Sequence, residues 1–276
     1  MKKLLSLAFV ASFAISLFAV DIFEFVPLKG NPKNYTKIEY SIASKFGNYF
    51  RTPKVKYLHV FNDEGKEIES SELTPRDIVQ NTISSVYNDN GDLIEQNYLN
   101  ADGELISKTT ITYKDGFKSD LSEFDKDDNL KEKVIYTYDK GLLIDESSYD
   151  GEGALFWKTI YTYNAAGKIE NIYDYNADGS LNTQKKFTYN ENGDVNTIDI
   201  YDSFSAKTTQ EVFRYASNNT ISEITTYDSD KRVITRVILK YDEKNNITKV
   251  SEYNVAQKFG TTVNELVAMS DYSYEY

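Results

Sequence analysis

The chain has 276 residues, a formal net charge of −12 and no cysteine. The missing thiol excludes a disulfide framework and lipid attachment at a cysteine. The acidic balance speaks against nucleic acid and anionic lipid headgroups as partners.

Residues 1–19 read as a secretory signal peptide. Lys2 and Lys3 precede an apolar run from Leu4 to Phe18, and small Ala19 offers a cleavage site. The run is shorter than the ~20 residues a spanning helix needs. Removing the two lysines takes the charge from −12 to −14. The chain is therefore expected to be exported, to a periplasmic, cell-surface or extracellular site. Residues 20–54, with Pro27, Gly30, Pro32 and Pro53, are expected to be an N-terminal cap holding a strand at Thr36–Ile42. A repeat array needs such a cap because its end unit exposes an unpaired edge.

From residue 55 to 253 the chain repeats. Phe61, Tyr87, Tyr113, Tyr138, Tyr163, Tyr189, Tyr215 and Tyr241 follow one another at steps of 26, 26, 25, 25, 26, 26 and 26. A second series, Tyr98, Phe124, Tyr149, Tyr175, Tyr201, Tyr227 and Tyr253, runs out of phase with the first. Within one unit, Trp157, Thr159, Tyr161 and Tyr163 alternate with Lys158, Ile160 and Thr162, which is strand periodicity. Asn164-Ala165-Ala166-Gly167 is a turn, Ile169 to Tyr175 a second strand, and Asn176-Ala177-Asp178-Gly179 a second turn. Asn219 and Asn246 stand near the glycine position in later units, and Asn tolerates positive φ. Lys114-Asp115-Gly116 and Asp139-Lys140-Gly141 are one residue shorter, which explains the steps of 25.

Parity assigns one face to the core: the tyrosines, Ile111, Tyr136, Phe187, Phe213 and Leu239 two residues before them, and Leu93, Ile169, Val195, Ile221 and Ile247 six after. Leu105, Leu181, Val233, Phe259, Leu130 and Leu155 share that parity. Ile172, Ile198, Ile224 and Val250 break it, by lying on a covered second face or at a bulge. Residues 254–276 form a C-terminal cap, with a short helix expected within Thr261–Met269 and a last strand at Tyr272–Tyr276.

The fold class is thus all-β: an antiparallel β-meander of tandem two-stranded units of 25 or 26 residues, an elongated, coiled sheet or open barrel-like spiral. Roughly 14 to 16 strands at ~4.8 Å each would span about 70 Å if flat. A bare apolar face that large must coil, as accumulating twist favours, or pair with a second copy.

Tyr161-Thr162-Tyr163-Asn164-Ala165-Ala166-Gly167-Lys168-Ile169, Tyr136-Thr137-Tyr138-Asp139-Lys140-Gly141 and Phe187–Val195 resemble the tyrosine–aspartate (YD, or Rhs-type) repeat, Tyr-x-Tyr-Asp-x-x-Gly-Arg-Leu. The arginine is missing throughout and Asn often replaces Asp. Tyr87–Glu95 is also similar to MORN-variant repeats. Either resemblance implies an antiparallel β array at the cell surface or in the envelope. The toxin-enclosing role of Rhs shells does not carry over to a chain this short.

Residues with chemistry to offer are few. His59 is the only histidine, with neither a cysteine nor a second histidine to build a zinc site, and is expected to be structural. No carboxylate pair of the kind glycosidases use stands out from the repeat, so no enzyme is expected. Asp174, Asn176 and Asp178 match the opening of a calcium loop, D-x-N-x-D-G, but Lys185 holds the place of the closing glutamate. These residues are expected to serve hairpin turns, with Ca²⁺ binding the alternative. Trp157, the only tryptophan, is the candidate for an exposed ligand contact. The function expected is an exported, non-catalytic binding scaffold or adhesin-like module for a glycan or envelope protein, without membrane insertion. The rival is an outer-membrane β-barrel with the tyrosine face toward lipid. Against it, Lys185, Asp199 and Glu211 are assigned to that face, where charge is costly.

Overall fold

The computed structural model describes residues 25–45, 47–258 and 260–276; the signal segment and Phe259 lie outside them. Among these residues eighteen antiparallel strands form a single sheet. They run β1 Asn34–Lys45, β2 Asn48–Phe61, β3 Glu67–Leu73, β4 Val79–Tyr87, β5 Leu93–Asn100, β6 Leu105–Lys114, β7 Phe117–Asp125, β8 Leu130–Asp139 and β9 Leu142–Asp150. The second half holds β10 Leu155–Tyr163, β11 Ile169–Asn176, β12 Leu181–Tyr189, β13 Val195–Asp202, β14 Lys207–Tyr215, β15 Ile221–Tyr227, β16 Val233–Tyr241, β17 Ile247–Lys258 and β18 Thr261–Glu275. Each strand pairs with its sequence neighbours, and β1 pairs with β18 from Asn34↔Glu275 to Tyr40↔Met269. The sheet therefore closes into a barrel and leaves no edge along that seam. The strands beyond the expected 14 to 16 come from the two caps. Thr261–Met269 is strand and not helix: its Thr261-Thr262-Val263 start is β-branched and pairs with β17.

The turns hold their shape through their first residue. The side-chain oxygens of Asn88, Asn100, Asp150, Asn164, Asp228 and Asp242 each accept two backbone N–H groups, two and four residues on. In the short units Asp115-Gly116 and Lys140-Gly141 both take positive φ, as a two-residue hairpin between right-twisted strands requires. Asn219 and Asn245 adopt φ of 63° and 64°. The second glycine surrogate is thus Asn245; its neighbour Asn246 is 1% exposed and has a different task.

Bulges settle the face of the parity-breaking residues. A register shift separates Thr188↔Thr197 from Tyr189↔Val195, so Ile198 pairs with Phe187 on the tyrosine face. The same shift aligns Ile224 with Phe213, Val250 with Leu239 and Ile172 with Tyr161. It also sends Asp199, opposite Lys186 and Gln210, to the other face. The tyrosine face is the inner face: Ile198, Ile247, Ile221, Phe213, Leu121 and Val134 are buried there. Six tyrosines of the first series seal the wall with their hydroxyls, which donate to the carbonyl at or beside the start of a neighbouring strand. Tyr87 bonds Glu67, Tyr113 Leu93, Tyr163 Leu143, Tyr189 Ile169, Tyr215 Val195 and Tyr241 Ile221, at 2.5 to 2.9 Å. Leu105 is 37% exposed, and Leu130, Leu155, Leu181 and Val233 are half-buried; they sit at the rim away from these clasps.

Residues 25–33 cross the tyrosine rim. The Phe25 ring packs at a tilt against Phe213 with centroids 5.2 Å apart, and Val26 joins the core. Asn246 fastens this segment, accepting from Lys29 N–H at 2.7 Å and donating to Lys29 C=O at 3.0 Å.

Candidate functional site

The inner wall divides into two sectors. Along β13–β18 it is mainly apolar, with Glu211 and Glu252 as exceptions: Ile198, Phe213, Ile221, Ile224, Val237, Leu239, Ile247 and Val250 pack with Val26, Tyr35 and Tyr272. Along β6–β11 a smaller apolar cluster, Ile111, Leu121, Val134 and Tyr136, gives way to carboxylates. The ladder fixes this pattern. Glu123 stands opposite Glu132, Tyr136 opposite Glu146, and Thr159 opposite both Glu146 and Asp174.

Each acidic group has specific company. Glu132 accepts from Ser148 Oγ at 2.5 Å and from Trp157 Nε1 at 3.1 Å. Glu146 accepts from the Tyr161 hydroxyl at 3.1 Å. Asp174 accepts from Thr159 at 2.8 Å and Thr183 at 2.5 Å. Burial raises the Glu146 carboxyl above its ordinary value, opposed by Tyr161 and Lys118. Burial and then the facing Glu132 raise Glu123. The Lys118 ammonium lies 4.3 Å from the centre of the Tyr136 ring, and burial brings its pKa down to about 8. The Tyr136 hydroxyl is buried without a hydrogen-bond partner. This sector can offer aromatic faces, carboxylate acceptors and an ammonium donor to a polar ligand.

The residues singled out from sequence fall differently. Trp157 is not an outward contact: it packs against the smaller core cluster and bonds Glu132, because its parity is that of Tyr161 and Tyr163. Phe156 beside it, 61% exposed, is the outward aromatic. Asp174, Asn176 and Asp178 do not act together. Asp174 is held by two threonines inside the wall, whereas Asn176 and Asp178 both engage Ser180 in the turn. Among the described residues no three His, Cys, Asp or Glu side chains gather as a metal-binding group. His59 stacks on Tyr35 at 4.2 Å and meets Glu67 at 2.7 Å. The carboxylate sector itself was missed. Its members sit at unrelated positions of successive units, and only the strand register brings them together.

The outer face is charged in mid-strand. Lys158 pairs with Asp145, Lys133 with Asp120 at 3.6 Å, Arg236 with Glu223 at 2.7 Å and Lys249 with Asp271 at 3.3 Å. Lys185 and Glu211 do lie on the tyrosine face, but that face points inward. No helix among the described residues is long and apolar enough to cross a membrane.

No family model matches the sequence, and no curated protein matches it. Among solved structures, a porin-like protein from Bacteroides uniformis is similar with a TM-score of 0.50 and 13% identity, over 90% of this chain and 99% of that one. A porin-like protein from Bacteroides vulgatus is 13% identical over 70% and 94% of the two chains, with a TM-score of 0.40. The Tc holotoxin pore of Photorhabdus luminescens is 12% identical over 84% of this chain and 19% of that one, with a TM-score of 0.19. The first likeness is one of fold: this chain is a closed antiparallel β-barrel.

Proposed function

We propose that the protein is an exported, water-soluble β-barrel that works as a non-catalytic binding module for a glycan or an envelope protein. The observation that carries this reading is the outer face. A lipid-facing barrel needs an apolar band ~25 Å tall, and here ion pairs recur at the middle of the strands where that band would lie. The interior supplies the contact chemistry, with the Trp157 and Tyr161 rings beside Glu132 and Glu146. The kinship with tyrosine–aspartate repeats belongs to the same proposal, the tyrosine clasp giving that pattern a mechanical purpose.

A membrane-spanning barrel is the second reading, favoured by strand closure and by the fold likeness to a protein described as porin-like. Cell fractionation separates the two. A soluble barrel leaves with the aqueous fraction, and a glycan array then tests its ligand. Retention through salt and carbonate washes, with release only by detergent, overturns the soluble reading.

A further inference from the structure

β17 and β18 are longer than β13–β16, and their far ends form one side of a cleft on the outer face of β14–β16. The cleft encloses about 210 Å³ between Arg214, Glu223 and Arg236 on the wall and Val255, Thr262 and Asn264 on the hairpin. Two of the chain's five arginines meet here, around one carboxylate.

That carboxylate does not satisfy both. Glu223 Oε1 accepts from Arg236 Nε at 2.7 Å and from Thr225 Oγ1 at 2.8 Å. Its other oxygen is 3.7 Å from Arg214 Nη1, too far for a hydrogen bond. The contact to Arg236 engages only Nε, leaving its two terminal amino groups outside that bond, and the Arg214 side chain is 60% exposed. Two guanidinium forks thus line one cleft with a single negative charge between them. A fork of N–H donors matches the two oxygens of a carboxylate. Beside the polar Thr225, Thr262 and Asn264, the lining includes Val233, Val255 and Tyr227, an apolar and aromatic surface that suits an organic body better than a fully hydrated inorganic ion. The volume is below the range of drug-sized sites, so the ligand must be small.

We propose that this cleft binds a small organic carboxylate, its oxygens held by Arg214 and Arg236 and its apolar part lying against Tyr227, Val233 and Val255. The proposal rests on the outer face meeting water, as the soluble reading requires.

The test uses the full chain, ¹⁵N-labelled, whose arginine Nε–H groups give five signals. Benzoate is titrated at constant ionic strength, with inorganic phosphate and chloride in parallel. Two signals should move saturably with benzoate, and R214Q should weaken the response about ten-fold, the size of one charge-assisted hydrogen bond. Val255→Asp, which places a negative charge on the hairpin side without touching either arginine, should abolish it. The absence of a saturable shift in a soluble, folded chain overturns the cleft while leaving the soluble-barrel reading intact. Phosphate binding as tight as benzoate overturns the organic class. Unchanged binding in both variants overturns the location. A chain that needs detergent fails the earlier reading instead.

Discussion

The two sectors of the inner wall are built from the same repeat and solve burial in opposite ways. Along β13–β18 the positions around the tyrosines are mostly filled by Ile, Val, Leu and Phe, with Glu211 and Glu252 between them, and residues 25–28 cover the apolar cluster. Along β6–β11 the equivalent ladder rows carry Glu123, Glu132, Glu146 and Lys118. The first sector gains from taking apolar surface out of water. The second keeps charge in a confined place, which costs stability and is kept where polar chemistry is wanted. The difference teaches that the tyrosine clasps and turns specify the barrel, while the rows between them are free to become core or site.

The largest effect should come from cutting into the apolar sector. Ile198 is fully buried, and Ile198→Ala should cost about 2–5 kcal/mol, read as a lower urea midpoint with an unchanged slope.

The buried inner carboxylates of both sectors should show themselves through pH. Glu123, Glu146, Glu211 and Glu252 all have folded values raised above the ordinary 4.5 by burial. The barrel therefore binds their protons more tightly than the open chain does. Their contribution to stability is greatest at low pH and falls as pH climbs from about 4.5 through the raised values. Lys118 works in the reverse direction. Its folded value of about 8 lies below the ordinary 10.5, so stability should recover as pH rises from about 8 to 10.5. Outer carboxylates such as Asp120 and Glu223, lowered on balance by their partners, act below their ordinary values. Urea unfolding between pH 5 and 7.5 should thus show decreasing stability, and Glu146→Gln should flatten the slope. A slope that E146Q leaves untouched would remove Glu146 from the account.

A smaller and more even effect belongs to the clasps. Tyr215→Phe leaves the Val195 carbonyl without its donor and should cost about 1 kcal/mol. Tyr113→Phe in the other sector should cost the same. Unequal losses would show that the clasp depends on the filling beside it. Smallest of all, Ala206 holds a φ of 51°, a conformation unfavourable for a side chain bearing Cβ. Ala206→Gly should raise stability by about 0.5 kcal/mol, since the added freedom of the open chain offsets part of the relief.

Much of this architecture is readable in the residues themselves, because strand alternation, Asx-headed turns and the shorter Asp115-Gly116 and Lys140-Gly141 hairpins are local signals. What escaped reading was non-local or off by one. A single bulged residue moved Ile198 to the inner face and Asp199 to the outer one. Asn245 and Asn246 are adjacent and alike, and only φ tells which one turns the chain. Closure depends on Asn34 finding Glu275, which no periodicity announces. The Arg214–Glu223–Arg236 group likewise exists only once three strands are in register.

That closing ladder has a topological consequence. With β1 beside β18 and every other strand beside its sequence neighbour, the barrel is a ring in which each link but one joins adjacent hairpins. The seam is the one link whose formation closes a loop of the whole sheet, and loop closure over that length is the entropic step that local zippering cannot share. The ring has no intrinsic first strand. A circular permutant opened at the turn between β13 and β14, with the C-terminus linked to the residue before β1, turns the seam into a hairpin and moves the long-range link to β13–β14. It should reach the same barrel, but with a different pair of strands joining last.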